Sequence, residues 1–318
     1  MKHFFILNPA AGKGKRFQKI IEEIHTVCKG RGVDYVVHIT ERIGEATEFV
    51  KNCCKSTTER LRFYACGGDG TVNETARGLI GCDNAELGVI PMGTGNDLVR
   101  NFDNKEKFFD IEAQLDGEAQ SIDVLRYNDK YSVNMINVGF DCEVAKQAAK
   151  NRRNVLVPSK VAFIFGVVQK FFSMPGVKAK LIIDGVEQEK SQFQLCAIAN
   201  GSYCGGGFYA APLSSLNDGT VDICIINPVT RMKLLQLVGY YKAGTYLEKI
   251  SEPDVINYKK CSSIEMHFEN PTDISVDGEI EKVSTLSITT VRDALSFCVP
   301  KGCVMHGEKA DELQESYV

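Results

Sequence analysis

The sequence predicts two domains, an N-terminal parallel α/β domain and a C-terminal antiparallel β-sandwich. Three observations carry this. The first third alternates strand-like and helix-like patterns, the spacing of a parallel sheet covered on both faces. After about Asp123, short strands follow one another with Gly, Asn and Asp turns, the spacing of a sandwich. The 318 residues are enough for both, at roughly 100–200 residues per domain.

His3–Leu7 reads as the first strand, followed by the loop Asn8-Pro9-Ala10-Ala11-Gly12-Lys13-Gly14-Lys15. Phe17, Ile20, Ile21 and Ile24 mark one face of a helix. Tyr35–Ile39 is a second strand ending at Thr40, and Ala46, Phe49, Val50 and Cys53 mark the next helix. Leu61–Cys66 is the third strand and Leu87–Ile90 the fourth, each running into a glycine loop and a helix. In parallel sheets ligands bind at the carboxyl ends of the strands, and all four loops leave from those ends. Beyond Asp123, Val124–Tyr127 and Tyr131–Val138 read as a hairpin turning at Asn128-Asp129. Lys178–Ile183, Phe193–Ala199, Val221–Ile226, Ser263–Phe268, Ile274–Val276, Leu286–Thr290 and Leu295–Val299 read as strands. Lys160–Phe172 and Arg231–Gly244 read as helices between them.

Composition narrows the class. Apolar residues make up 44% and charged residues 25%, as in globular proteins. Phe4-Phe5-Ile6-Leu7 is too short for a signal-peptide core, and no apolar run reaches the ~20 residues of a spanning helix. The expectation is therefore a cytoplasmic protein. A net charge of −4 gives no case for nucleic acid as partner. Twelve cysteines without a CxxC read as reduced, small apolar residues rather than metal ligands.

The chemistry centres on Cys66-Gly67-Gly68-Asp69-Gly70-Thr71-Val72-Asn73-Glu74. Three glycines around one acid let the backbone approach a ligand closely and turn its N–H groups outward. Thr71 and Glu74 have capping-box spacing, and a helix N-terminus behind the loop suits phosphate. Asp69 is then expected where phosphate and Mg²⁺ meet; the plain alternative is an ordinary strand-to-helix turn. A second loop, Gly93-Thr94-Gly95-Asn96-Asp97, offers Thr94 as a phosphate or ribose donor, with Asn96 or Asp97 as helix cap. The first loop lacks the P-loop pattern, yet its amides and Lys13 or Lys15 suit phosphates. Ser215-Leu216-Asn217-Asp218-Gly219-Thr220 is either an Asp-Gly turn or a small cation site. Asp277-Gly278-Glu279 is either an Asp-Gly turn or a source of a proton acceptor or Mg²⁺ ligand. The basic run Lys146, Lys150, Arg152, Arg153 and Lys160 beside an apolar helix suits either core or an anionic membrane surface.

Gly67-Gly68-Asp69-Gly70-Thr71 with Asn73-Glu74, and Pro91-Met92-Gly93-Thr94-Gly95-Asn96-Asp97, resemble the catalytic domain of diacylglycerol, sphingosine and ceramide kinases. Asn8-Pro9, Asp218-Gly219-Thr220-Val221-Asp222 and Asp277-Gly278-Glu279 fit the same family, which the chain resembles from about residue 3 to residue 300. The resemblance implies an NAD kinase- or phosphofructokinase-like domain over 1–128, rejoined by 299–318, and a lipid-binding sandwich over 129–298. It implies ATP held by Asn8, Pro9, Ala10 and Gly12, by Thr40, by Gly67, Gly68, Asp69, Gly70, Thr71 and Asn73, and by Thr94. Asp69 would lie beside the phosphates and catalytic Mg²⁺. Glu279 matches the family's proton acceptor, with Asp277 as competitor. Ser215, Asp218 and Thr220 match a second Mg²⁺ site, supported by Asp123. Thr220 stands where the family usually has an apolar residue. The implied activity is phosphoryl transfer from ATP to a lipid hydroxyl, most simply diacylglycerol to phosphatidic acid. The enzyme would work at the membrane surface as a peripheral protein, and a homodimer suits the family. A NAD kinase shares the first glycine motif, and a nucleotide sensor would share the loops without catalysis.

Overall fold

Strands β1 (Lys2–Leu7), β2 (Tyr35–Ile39), β3 (Leu61–Gly67) and β4 (Ala85–Pro91) pair in parallel in the order β4-β3-β1-β2. In the computed structural model that gives these coordinates, the described residues are 1–14, 16–152, 176–189, 192–250, 252 and 254–306. The helix expected over 160–172, Lys15, Arg153 and Lys160 of the basic stretches, and the acidic end at 307–318 lie outside the described residues.

β3 and β4 are buried along their whole length, which explains their near-continuous apolar runs. Helices α1 (Phe17–Gly30), α2 (Glu45–Ser56) and α3 (Asp69–Leu79) connect the strands. The predicted face of α1 buries Ile20 and Ile24, which join Phe5, Leu7, Tyr64, Cys66 and Ile90 in one core. Chain order reverses between β1 and β3, so the crevice at their carboxyl ends is the topological switch point. A buried Arg62 ties the edges of this unit together. It donates to Glu86 at 2.7 Å and to the carbonyls of Gln114, Leu115 and Gly117 at 3.0, 3.3 and 3.0 Å.

By its internal contacts the chain divides into two units. One holds residues 1–124, 215–217 and the chain from Arg292 on; the other holds 125–214 and 218–291. The sequence reading put the division at 128/129, the return at 299, and made no provision for 215–217. The return is earlier because Leu286–Thr290 and Leu295–Val299 are not two strands. They are parts of one, Glu279–Val299, whose last part pairs in parallel with β4 through Ser296 and Phe297.

The second unit is antiparallel. Its strands run Ile256–Cys261, Val221–Ile226, Leu195–Ala199, Met135–Gly139, Ser263–Val276 in spatial order. Val177–Ile183 pairs with the first half of Ser263–Val276. Leu195–Ala199 shows how the layers form. Cys196 and Ile198 point into a core with Ile136, Ile264 and Ile288, while Leu195, Ala197 and Ala199 point into a second core. That second core is closed by helix Arg231–Ala243, capped by Thr230 at its start and by Gly244 in the left-handed region at its end. Strand Ile256–Cys261 and helix Phe140–Arg152 were not read from the sequence. The expected strand Tyr131–Val138 is broken into Lys130–Ser132 and Met135–Gly139. The amides at the break serve Asp277 rather than a neighbouring strand.

Candidate active site

The parallel register sets the four predicted loops side by side, because Leu7 pairs with Ile39 and Cys66, and Gly67 with Pro91. At the switch point Asn8 joins the loops after β1 and β3. Its side-chain amide donates to Thr71 Oγ1 at 3.1 Å and its Oδ1 accepts the Ala10 N–H at 3.0 Å. Pro9 and Ala10 are exposed beyond it. Gly12 adopts φ +57, and a Cβ there would sit 2.5 Å from the Met92 carbonyl oxygen, so only glycine fits between the first and last loops. Thr40 is pinned to the end of β1, with its N–H and hydroxyl both donating to the Leu7 carbonyl, at 2.9 and 3.2 Å.

Helix α3 starts at Asp69, two residues before the expected capping box, with Gly68 as its N-cap. The first intrahelical donor is the Val72 N–H, so the amides of Gly70 and Thr71 lie ahead of the helix's own hydrogen bonds. The box itself does not form. Glu74 instead accepts the Gly44 N–H at 3.0 Å, at the start of α2. Asn73 is buried in the second turn of α3, 1% exposed. The Gly67 carbonyl accepts the N–H groups of Met92 and Gly93, at 2.7 and 3.2 Å. Gly68 and Gly93 touch closely enough that a Cβ on Gly93 would lie 2.5 Å from the Gly68 Cα.

Asp69 binds the protein's own main chain. Its two oxygens accept the N–H groups of Asn96 and Asp97, at 2.9 and 2.6 Å. The carboxylate therefore clamps the second glycine loop to the first. Burial pushes its pKa up, against the opposing pull of those amides. Gly95 makes the clamp possible, since a Cβ there would lie 2.5 Å from Asp69 Oδ2. Asn96, at φ +52, closes its own loop by exchanging hydrogen bonds with the Gly93 main chain, both 3.0 Å, and does not cap a helix. No full helix follows. Leu98–Asn101 is a single 3₁₀ turn, with the Asn101 amide donating to Leu98. Arg100 was missed in the sequence; its guanidinium holds the Gly95 carbonyl at 3.1 Å and approaches Asp97 at 3.4 Å. Thr94 is exposed at the loop tip. Asp123, buried, accepts the Asp293 N–H at 2.8 Å, and its own N–H donates to Leu216 at 2.7 Å.

In the second unit, Asp277 and Gly278 both have positive φ, the two-residue turn of a hairpin. The Asp277 carboxylate accepts the N–H groups of Val133, Asn134 and Met135 and the Ser132 hydroxyl, at 2.9 to 3.1 Å. Burial pushes its pKa up while these four donors favour the charged form. It is a buttress, with three donors on Oδ1 and one on Oδ2. Glu279, two residues on, is exposed.

Asp218 is likewise engaged. Oδ1 accepts the N–H and hydroxyl of Thr220 at 2.9 and 2.7 Å, and Oδ2 accepts the Lys260 ammonium at 2.6 Å. Lys260 also donates to Asp222 at 3.1 Å, and Tyr258 donates to Asp222 at 2.6 Å. Ser215 belongs to the first unit, where its hydroxyl donates to Asn217 at 3.0 Å. Among the described residues no three acidic, His or Cys side chains gather as a metal site. Asp218 is the one carboxylate of the set the resemblance implies there, and it is engaged by Thr220 and Lys260. All twelve cysteines are free thiols.

A parallel α/β unit with clamped glycine loops, and a β-sandwich unit, define the class of protein, a two-domain α/β-plus-sandwich fold. The chain belongs to the diacylglycerol kinase-type lipid kinase family. Residues 2–127 match the diacylglycerol kinase catalytic domain and residues 134–299 the YegS C-terminal NAD kinase beta sandwich-like domain. It is 28% identical over 284 residues to a protein named "Probable lipid kinase YegS-like" from Alcanivorax borkumensis, covering 88% of this chain and 91% of that one. It is 25% identical to the diacylglycerol kinase of Bacillus subtilis, covering 98% of each. Solved structures from Bacillus anthracis, described (one of them provisionally) as diacylglycerol kinases, superpose with TM-scores of 0.72 and 0.66 at 22% and 19% identity. Each covers 95% of this chain, with 96% and 98% of its own length matched. At that identity they show the fold alone.

Proposed function

We propose that the protein transfers the γ-phosphate of ATP to the hydroxyl of a lipid, with diacylglycerol as acceptor and phosphatidic acid as product. The observation that carries this reading is the Asp69 clamp, which holds two glycine loops together at the switch point of a parallel sheet, with the Gly70 and Thr71 amides ahead of the first hydrogen bond of α3. Phosphoryl transfer asks mainly for positioning and charge neutralisation. The amides of Gly70 and Thr71, the loop around Thr94, and the Asn8–Gly12 turn would line the phosphates, and Thr40 the end of β1. Mg²⁺ bound to the ATP would supply the charge screening that the phosphates need. Asp69 and Arg100 are positioning residues that hold the loops. Glu279 takes the acceptor's proton in this reading, because Asp277 is committed to four donors.

The test is a panel of lipids with γ-labelled ATP, the products separated by chromatography, and NAD as a parallel acceptor. Labelled phosphatidic acid is the expected product. Label on NAD alone, or on no acceptor, contradicts the proposal.

A further inference from the structure

Helix Arg231–Ala243 is apolar on both faces. Leu234, Leu237 and Tyr241 fill the second core of the sandwich unit. On the other side Met232 is 72% exposed, Leu235 59% and Tyr240 40%. These are three of the nine large apolar side chains exposed among the described residues, within nine residues of one helix. Isolated exposed apolar residues are ordinary; a cluster on one face is not. At helical spacing Met232, Leu235, Gly239 and Ala243 form one outward stripe, with exposed Gln236 between it and Tyr240. Arg231 and Lys242 flank it on one side, Lys233 and Tyr240 on the other.

The helix contains no acidic residue. Lys233 pairs with Glu252 at 2.9 Å, and Lys242 lies 5.8 Å from the centre of the Phe208 ring. An apolar stripe edged by cations and a tyrosine is the pattern of a helix lying in a membrane interface, with long basic stems reaching up to headgroups. A second copy of the same face would set these cations against each other. We infer that this face docks the protein on an anionic phospholipid bilayer. The inference deepens the lipid-kinase reading by naming the surface that meets the acceptor's membrane, and it rests on that reading for its biological sense only.

The experiment is flotation of the full chain with vesicles of phosphatidylcholine, with and without phosphatidylglycerol, in the absence of ATP. The wild type is expected to float with the anionic vesicles and to be released by salt. Met232→Ser with Leu235→Ser lowers the partition by about tenfold or more, since two apolar side chains leave the interface. Lys242→Glu lowers it by about tenfold through charge reversal. Because the stripe is exposed, both variants keep the wild-type melting temperature; binding lost only together with folding overturns the inference. No flotation of the wild type overturns it, and so does a wild-type dimer that Leu235→Glu turns into monomer. Flotation without kinase activity strikes the proposed function alone. Activity on dispersed short-chain diacylglycerol without flotation strikes the docking face alone.

Discussion

Asp69, Asp277 and Asp218 share a feature at the scale of single residues: each carboxylate folds back onto the protein's own donors. Asp69 holds the Asn96 and Asp97 amides, Asp277 the Val133–Met135 segment, and Asp218 the Thr220 and Lys260 donors. Acids in glycine-rich turns look alike in a sequence whether they face a ligand or their own loop, so their types and places were legible and their duties were not. Glu279→Gln is expected to lower turnover by about 10²–10⁴-fold, the usual share of a proton acceptor, with ATP affinity and melting temperature unchanged. Asp277→Ala is expected to lower the melting temperature instead, because buried amides lose their acceptor. The reverse pattern in thermal melts and steady-state kinetics would return the acceptor role to Asp277. Gly95→Ala should weaken ATP binding, since its methyl would push into the Asp69 carboxylate; isothermal titration gives the answer.

Elements were readable where periodicity was strong and misread where a side chain overrode it. The first four strands and α1 follow their apolar patterns. The capping box at Thr71 does not form because Glu74 is drawn to the Gly44 amide, which no local spacing reveals, and α3 starts at Asp69. Strand Ile256–Cys261 escaped because its lysines and tyrosine mask the alternation, although Lys260 and Tyr258 serve Asp222 there. Two predictions belong to elements. Arg62→Ala strips Glu86 of its buried partner and leaves three carbonyls without this donor, so chemical denaturation should show a loss of about 3–5 kcal/mol. Helix Phe140–Arg152 carries Asp141, whose carboxyl accepts the Tyr241 hydroxyl at 3.0 Å, and burial raises its pKa from 3.8 to about 7. The folded state therefore holds a proton that the unfolded chain has released. The stability from this group is full below about 3.8 and is lost as pH rises to about 7. Asp141→Asn is expected to flatten the fall in melting temperature across that window; an unchanged slope contradicts it.

For the whole molecule, the division into an α/β unit and a β-sandwich unit follows from the change of period after Asp123. The return of the chain from Arg292 to the first unit does not, because long-range pairing of Ser296 and Phe297 with β4 leaves no local mark. The glycine loops were legible because close backbone approach demands glycine, as at Gly12, Gly93 and Gly95. The central claim is that the amides of these loops grip the triphosphate of ATP. Hydrogen–deuterium exchange with and without Mg²⁺ and ATP tests it most directly. Slowed exchange confined to residues 8–12, 67–73 and 93–97 is the predicted result. Protection that appears elsewhere while these three loops exchange unchanged would contradict it.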